Sequence, residues 1–236
     1  PKTTTTPTTP TTTRTPSDGG GGSSSNKDKK DSEKSSTSIT PITIVKAEQT
    51  NPTFIDVNDS DWFKPAVDFV TGKGIMNGVE KNRFGPNIST TRGMIVTIFW
   101  QMENKPMPNG SQNYADVNQE QYFADAVNWA TENNIVVGYG NGNFGPDDII
   151  TREQMATILY QYCKYKNYDL NQGGMSTREF SDYENISPWA LEYMTWAVNN
   201  QIISGVGNNM LNSRGHATRA QVAAILKNFY DIIDKQ

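Results

Sequence analysis

Three arginines stand where each could grip an anion. Arg92, Arg152 and Arg219 each follow a threonine directly (Thr91, Thr151 and Thr218) and each opens an apolar-periodic run that reads as a helix. An arginine fork holds a carboxylate or phosphate through two parallel charge-assisted hydrogen bonds. The first turn of a helix, however, is the positive end of its dipole, and helix electrostatics does not select a cation there. Three occurrences imply that the arginines serve something other than the helix. The candidates are an anionic ligand or the aspartates Asp56, Asp116 and Asp182, which lie 36, 36 and 37 residues upstream of them. A ligand site and an Arg–Asp pair pinning one unit to the next both need a planar bidentate donor. The residues alone leave the two open.

Other candidate chemistry is weaker. The run Gly138-Tyr139-Gly140-Asn141-Gly142-Asn143-Phe144-Gly145 has the glycines of a phosphate cradle but neither a strand before it nor a helix immediately after it, and no Gly-Lys-Ser/Thr. A calcium loop beginning at Asp56 would place its turn glycine at Asp61 and its bidentate carboxylate at Val67, so the ligand set fails and a helix-capping acidic loop is the better reading. His216 is the only histidine, which excludes a His-plus-His zinc site and reads as surface decoration. Cys163 is the only cysteine, so no intrachain disulfide or cysteine metal site forms, and it reads as a small buried apolar residue. No pair of carboxylates stands out for glycoside cleavage. The segment is therefore expected to hold no catalytic residues, metal site or cofactor.

The elements that position the arginines come in three copies. The middle copy opens at Tyr114-Ala115-Asp116-Val117, continues through Tyr122 and Trp129, turns at Gly138, closes its loop at Phe144-Gly145-Pro146 and ends in the Thr151-Arg152 helix. Upstream the matching points are Phe54, Asp56, Trp62, Gly78, Phe84-Gly85-Pro86 and Arg92; downstream they are Phe180, Asp182, Trp189, Gly205 and Arg219. The arginines are 60 and 67 residues apart, so the variable material lies between units. A period this long means stacked supersecondary units sharing one core. Within each unit a first helix is expected, with Phe123, Ala126, Val127 and Ala130 on its buried stripe. It ends at residues suited to left-handed backbone, namely Gly72-Lys73-Gly74, Asn133-Asn134 and Asn199-Asn200-Gln201. A glycine-rich loop follows, and then a second helix with the threonine as N-cap and, in the middle unit, Met155, Ile158, Leu159 and Tyr162 on one face. Two helices in each of three units make an all-α domain of six.

Composition divides the chain. Residues 1–52 are mostly Thr, Pro, Ser, Gly and Lys and read as a disordered linker, its Thr/Pro tract extended and its residues 39–45 able to form a short strand. The folded domain is expected over residues 53–236, with repeats at about 54–103, 114–165 and 180–232. Residues 1–53 carry seven basic and five acidic side chains, the remainder 14 and 20. A mildly acidic domain argues against nucleic acid as partner. No run approaches the ~20 apolar residues of a membrane helix, so no membrane insertion is expected. The chain starts at Pro1 rather than Met; it reads as the C-terminal piece of a longer polypeptide with its targeting signal and a functional module upstream.

Phe-x-Asp-Val, Trp, Gly-Ile-x-x-Gly, Phe-x-Pro and Thr-Arg-x-Glu/Gln in three tandem copies resemble the S-layer homology (SLH) domain of bacterial envelope proteins. The resemblance implies a pseudo-threefold arrangement in which the first helices form a central three-helix bundle and the Thr-Arg helices flank grooves between units. It also implies an extracellular, non-enzymatic anchor at the bacterial cell wall or S-layer. The partner it implies is a peptidoglycan-linked secondary cell-wall polysaccharide, commonly carrying ketal-linked pyruvate on N-acetylmannosamine. By this resemblance the carbohydrate-binding residues are Arg92, Arg152 and Arg219; Asp56, Asp116 and Asp182; Gly78, Gly138 and Gly205; and the aromatics Trp62, Tyr122 and Trp189. An arginine fork would hold the pyruvate carboxylate at about 1.5–3 kcal/mol per hydrogen bond. Asp would accept sugar hydroxyls, glycine would let sugar approach the backbone, and an aromatic would cover a pyranose face. For Trp62 and Trp189 core packing is the first expectation. Met94 where Glu or Gln is usual, Tyr122 for Trp, and Leu211-Asn212-Ser213 for Phe-Gly-Pro depart from the pattern and bear on how many grooves are competent, the third unit's most. The alternative is a helical protein-interaction module whose arginines only staple the repeats.

Overall fold

A computed structural model of the protein describes residues 53–110, 113–170 and 176–234. All of them belong to one compact unit, Ala47–Gln236. The linker expected over residues 1–52, with the short strand at 39–45, lies outside the described residues.

Six α-helices appear among the described residues, two per repeat: α1 (Lys64–Gly72), α2 (Arg92–Met102), α3 (Ala124–Glu132), α4 (Arg152–Lys166), α5 (Leu191–Asn199) and α6 (Arg219–Ile233). Three short 3-10 turns, Thr177–Glu179, Tyr183–Asn185 and Pro188–Ala190, lie in the third unit. Extended pairing among the described residues is limited to isolated bridges. The first helix of each unit ends in a left-handed residue, Gly74, Asn134 and Gln201 at φ of 68°, 56° and 55°, the third falling on the glutamine rather than on Asn199 or Asn200. The second helices start where the threonines predict. The Oγ1 atoms of Thr91, Thr151 and Thr218 accept from the N–H of Met94, Gln154 and Gln221. Gln154 and Gln221 return the contact to the threonine N–H at 3.0 and 3.1 Å, completing a capping box that Met94 cannot make.

The repeats close into a ring. Each second helix packs against the first helix of the next unit: α2 on α3, α4 on α5, and α6 back on α1. The residues before the three N-caps bond to one another head to tail. Thr90 N–H donates to Ala217 O (3.0 Å), Ala217 N–H to Ile150 O (3.0 Å), and Ile150 N–H to Thr90 O (2.9 Å). At the other end Tyr162 meets Phe99 and Phe229, with ring centroids 4.8 and 6.0 Å apart. Both ends of the second helices are thus tied around one pseudo-threefold axis. This corrects one expectation: α2, α4 and α6 surround the axis, where Tyr162 of α4 meets Phe99 of α2 and Phe229 of α6, whereas each first helix packs outside them on the second helix of the unit before it. The reason is burial, since the second helices hide both an axial face and a face toward the neighbouring first helix, as the fully buried Val96, Met155, Leu159, Val222 and Leu226 record. The predicted stripes hold: Phe123, Ala126, Val127 and Ala130, and likewise Met155, Ile158, Leu159 and Tyr162, are all at most 4% exposed.

Candidate functional site

The three arginines occupy one geometry, repeated around the ring. Arg92 donates from Nε to Phe144 O (3.0 Å) and from Nη2 to Val137 O (3.0 Å), both in the next unit. Arg152 does the same to Leu211 O (2.8 Å) and Ser204 O (2.5 Å), and Arg219 to Phe84 O (2.8 Å) and Asn77 O (2.5 Å). The free N–H groups of the same helix ends turn to the same loops. Arg92 N–H reaches Asp148 O and Gly93 N–H reaches Pro146 O; Arg152 and Glu153 reach Gly215 and Ser213; Arg219 and Ala220 reach Ile88 and Pro86. A cluster of carbonyl oxygens therefore faces each helix N-terminus, and this explains a cation at the positive end of a helix dipole. The side chains are 4–8% exposed. Burial, the largest influence, draws all three guanidinium groups below their ordinary value, Arg152 to about 10, and each remains cationic at neutral pH.

The aspartates meet the same loops from the other side. Both oxygens of Asp56 accept loop N–H groups, from Phe84 (2.8 Å) and Gly85 (2.9 Å); Asp116 takes Phe144 (2.8 Å) and Gly145 (2.7 Å), and Asp182 takes Leu211 (2.8 Å) and Asn212 (2.7 Å). Burial pushes Asp56 up, but those two N–H groups, with Arg83 nearby, outweigh it and hold its carboxyl below the ordinary value. Phe84, Phe144 and Leu211 are thus each bracketed, N–H by the aspartate of their own unit and C=O by the arginine of the preceding one. The staple between units is real but is not an Arg–Asp pair; the two ions act through one shared loop residue. The carboxylates are committed to the backbone, and none of the three lines either large groove described below.

The glycines have a local reason. A Cβ on Gly78 would sit 2.8 Å from the Phe54 ring and 2.6 Å from Glu80 O, and one on Gly138 would clash with the Tyr114 ring. The aromatic that opens each unit packs on the glycine that turns its loop.

Two large grooves lie between units. One, of about 540 Å³, is lined by Arg92 of the first unit, Gly138, Tyr139 and Gln154 of the second, and Trp189 and Tyr193 of the third. The other, of about 660 Å³, is lined by Arg152, then Gly205, Gln221 and Lys227, then Trp62 of the first unit. Arginine, glycine and aromatic from three different repeats thus converge twice. A smaller cavity of about 320 Å³ near the third junction is lined by Gly74, Asn77, Gln101, Asn104 and Lys105 and does not include Arg219, Gly78 or Tyr122. Trp62, Tyr122 and Trp189 are 67%, 62% and 53% exposed, which overturns the expectation of core packing for the two tryptophans. Each stands at the turn entering a first helix, where the following Phe63, Phe123 or Ala190 faces inward instead. Gln154, Tyr139, Tyr193 and Gln221 escaped the sequence reading as groove residues; the capping box marks the two glutamines, and nothing local marks the tyrosines.

The readings of Cys163 and His216 stand, and the helix-capping reading of the acidic loop does not. Cys163 is 2% exposed, and burial raises its thiol to about 12. His216 is exposed on the surface. Asp61 Oδ2 accepts Asn58 N–H at 2.7 Å and closes a turn rather than capping α1, whose N-cap Phe63 has no side-chain partner. The described residues gather no group of three His, Cys, Asp or Glu that could hold a metal ion, and no described helix is long and apolar enough to cross a membrane.

A closed ring of three helix-loop-helix units with arginine-headed grooves defines a repeat-built, all-α domain. More than half of the chain, residues 53–93, 113–156 and 179–223, matches the S-layer homology domain, and the chain belongs to that family. It is 30% identical over 190 residues to an amylopullulanase of Thermoanaerobacterium thermosulfurigenes, a match covering 80% of this chain and 10% of that protein. It is 28% identical over 197 residues to a surface-layer 125 kDa protein of Lysinibacillus sphaericus, covering 82% and 16% respectively. A cellulosome-anchoring protein of Acetivibrio thermocellus is 28% identical over 155 residues, covering 64% and 34%. The chain spans between a tenth and about a third of the length of these relatives. S-layer homology segments are non-catalytic and bind cell-wall polymers, holding extracellular proteins on the bacterial cell wall; this chain is such an anchoring segment.

Proposed function

We propose that this segment anchors its polypeptide by taking a peptidoglycan-linked secondary cell-wall polysaccharide into the inter-repeat grooves, where the ligand is a sugar bearing ketal-linked pyruvate, such as N-acetylmannosamine. The observation that carries this reading is a solvent-exposed aromatic ring across each large groove from an arginine of another unit: Trp189 with Arg92, and Trp62 with Arg152. A pyranose presents an apolar face that a tryptophan covers and a carboxylate that a guanidinium attracts. Nε and Nη2 of each arginine are occupied by carbonyls, while Nη1 has no hydrogen bond among the described residues. Nη1 is the donor assigned to the carboxylate. Gly138 and Gly205 keep the groove floor low, and Asp56, Asp116 and Asp182 act by holding the loop whose carbonyls orient the arginine. Several weak grooves on one domain, and many domains on one wall, raise retention through effective concentration. The cargo is another module of the same polypeptide, in keeping with the names of the amylopullulanase and surface-layer relatives.

The carbonyl contacts also support a stapling role for the arginines, so an arginine deletion lowers stability and binding together and cannot separate an anchor from an interaction module. The exposed aromatics can. Sedimentation with purified cell walls should be lost when the ketal pyruvate is removed by mild acid, and reduced in a Trp62→Ala, Trp189→Ala variant that melts like the wild type. Equal binding to treated and untreated walls would sink the carboxylate mechanism.

A further inference from the structure

The three units place different residues behind their aromatics. Glu153, 4% exposed in the first turn of α4, reaches across to the third unit, where its oxygens accept Ser187 N–H (3.1 Å) and Ser187 Oγ–H (2.7 Å). Ser187 opens the turn Pro188–Ala190 that carries Trp189. At the equivalent place α2 has Gly93, where a Cβ would come within 3.0 Å of the Phe123 ring and of Pro146 O, and α6 has Ala220. Neither can tether the turn bearing Tyr122 or Trp62. The arginines differ in step. Arg92 lies between two rings, 4.8 Å from the centroid of Tyr139 and 4.7 Å from that of Phe144. Arg219 has only Phe84, at 4.7 Å, and Arg152 has no ring contact among the described residues. Lys227, which gives the Arg152 groove a second cation, is paired with Asp231 at 2.6 Å.

We infer that the grooves are graded, that the one headed by Arg92 is the preformed high-affinity groove, and that Glu153 is its positioning residue, acting through Ser187 to hold Trp189. A ligand entering this groove meets an arginine set between two rings and an aromatic whose turn is already tethered, whereas elsewhere binding must order one or both, at a cost in affinity. The inference rests on the carboxylated-sugar reading above and assigns that ligand its first site.

Tryptophan indole N–H signals in two-dimensional NMR spectra of the whole chain, assigned by single Trp→Phe substitutions, report the two large grooves in one sample. On titration with ketal-pyruvylated N-acetylmannosamine, the Trp189 signal should reach its midpoint at about fivefold lower concentration than the Trp62 signal. Glu153→Ala should raise the Trp189 midpoint about fivefold and leave that of Trp62 in place, while Glu153→Gln, which keeps an acceptor, stays close to wild type. Ser187→Ala, the milder variant, removes only the hydroxyl half of the contact and should raise the Trp189 midpoint about twofold. Joint saturation of the two signals, earlier saturation of Trp62, or an equal shift of both by the substitutions overturns the grading and leaves the carbohydrate reading intact. If neither signal moves in the folded protein, the carboxylated-sugar reading fails and the grading with it.

Discussion

The loop Phe144-Gly145-Pro146 of the second unit and the loop Leu211-Asn212-Ser213 of the third share no residue type, yet their backbones make the same contacts. Phe144 and Leu211 are both fully buried. Gly145 and Asn212 both take left-handed backbone, at φ of 72° and 49°. Asp116 holds the first pair of N–H groups and Asp182 the second, and Pro146 O and Ser213 O each accept from the second residue of the preceding unit's Thr-Arg helix. What changes is the surface offered to the arginine: Arg92 rests on the Phe144 ring, whereas Leu211 offers Arg152 its carbonyl and no ring. The joint between units is therefore a backbone device that tolerates substitution, while its side chains tune the groove. The third unit, which its sequence marks as the most divergent, is structurally complete.

Removing the clamp tests that comparison most severely. Asp182→Ala leaves two loop N–H groups, one of them buried, without a charged acceptor and should cost about 3 kcal/mol in chemical denaturation. Asp116→Ala should cost about as much, and a marked inequality would mean that the two loops are not held alike. Arg152→Lys keeps the charge but cannot reach two carbonyls with a planar fork, and about 2 kcal/mol should be lost from the urea unfolding free energy. The backbone argument sharpens at Asn212. Asn212→Ala puts an ordinary L residue at a positive φ and should cost about 1 kcal/mol, whereas Asn212→Gly should be neutral or slightly stabilising by thermal melting. The smallest effect is a gain: Met94→Gln supplies the missing half of the capping box on α2 and should add about 0.5 kcal/mol in the same measurement.

Much of the fold was legible because it repeats. Thr91, Thr151 and Thr218 announce helix starts through a short-range contact, and Gly74 and Asn134 mark helix ends through local backbone preference, which Gln201 at the third end lacks. The groove was legible only in part. Arg92 and Arg152 were singled out by sitting at the wrong end of a helix dipole, which is a local anomaly. Their actual partners, the carbonyls of Val137, Phe144, Ser204 and Leu211, carry no side-chain signature, since every residue has a carbonyl. Trp62 and Trp189 misled because tryptophan is usually spent on a core, and nothing at their own positions shows that the next residue faces inward instead.

Periodicity, capping chemistry and left-handed turn residues by themselves determined six helices in three like units, because each depends on atoms a few positions apart along the chain. Packing of unit on unit decided the rest. Which helices surround the axis, which carbonyls each arginine meets, and that Glu153 stands behind Trp189 all depend on residues tens of positions apart being brought to within 3 Å or so. Such contacts exist only once each unit has packed on the next, and those of Arg219 only once the third unit has closed on the first.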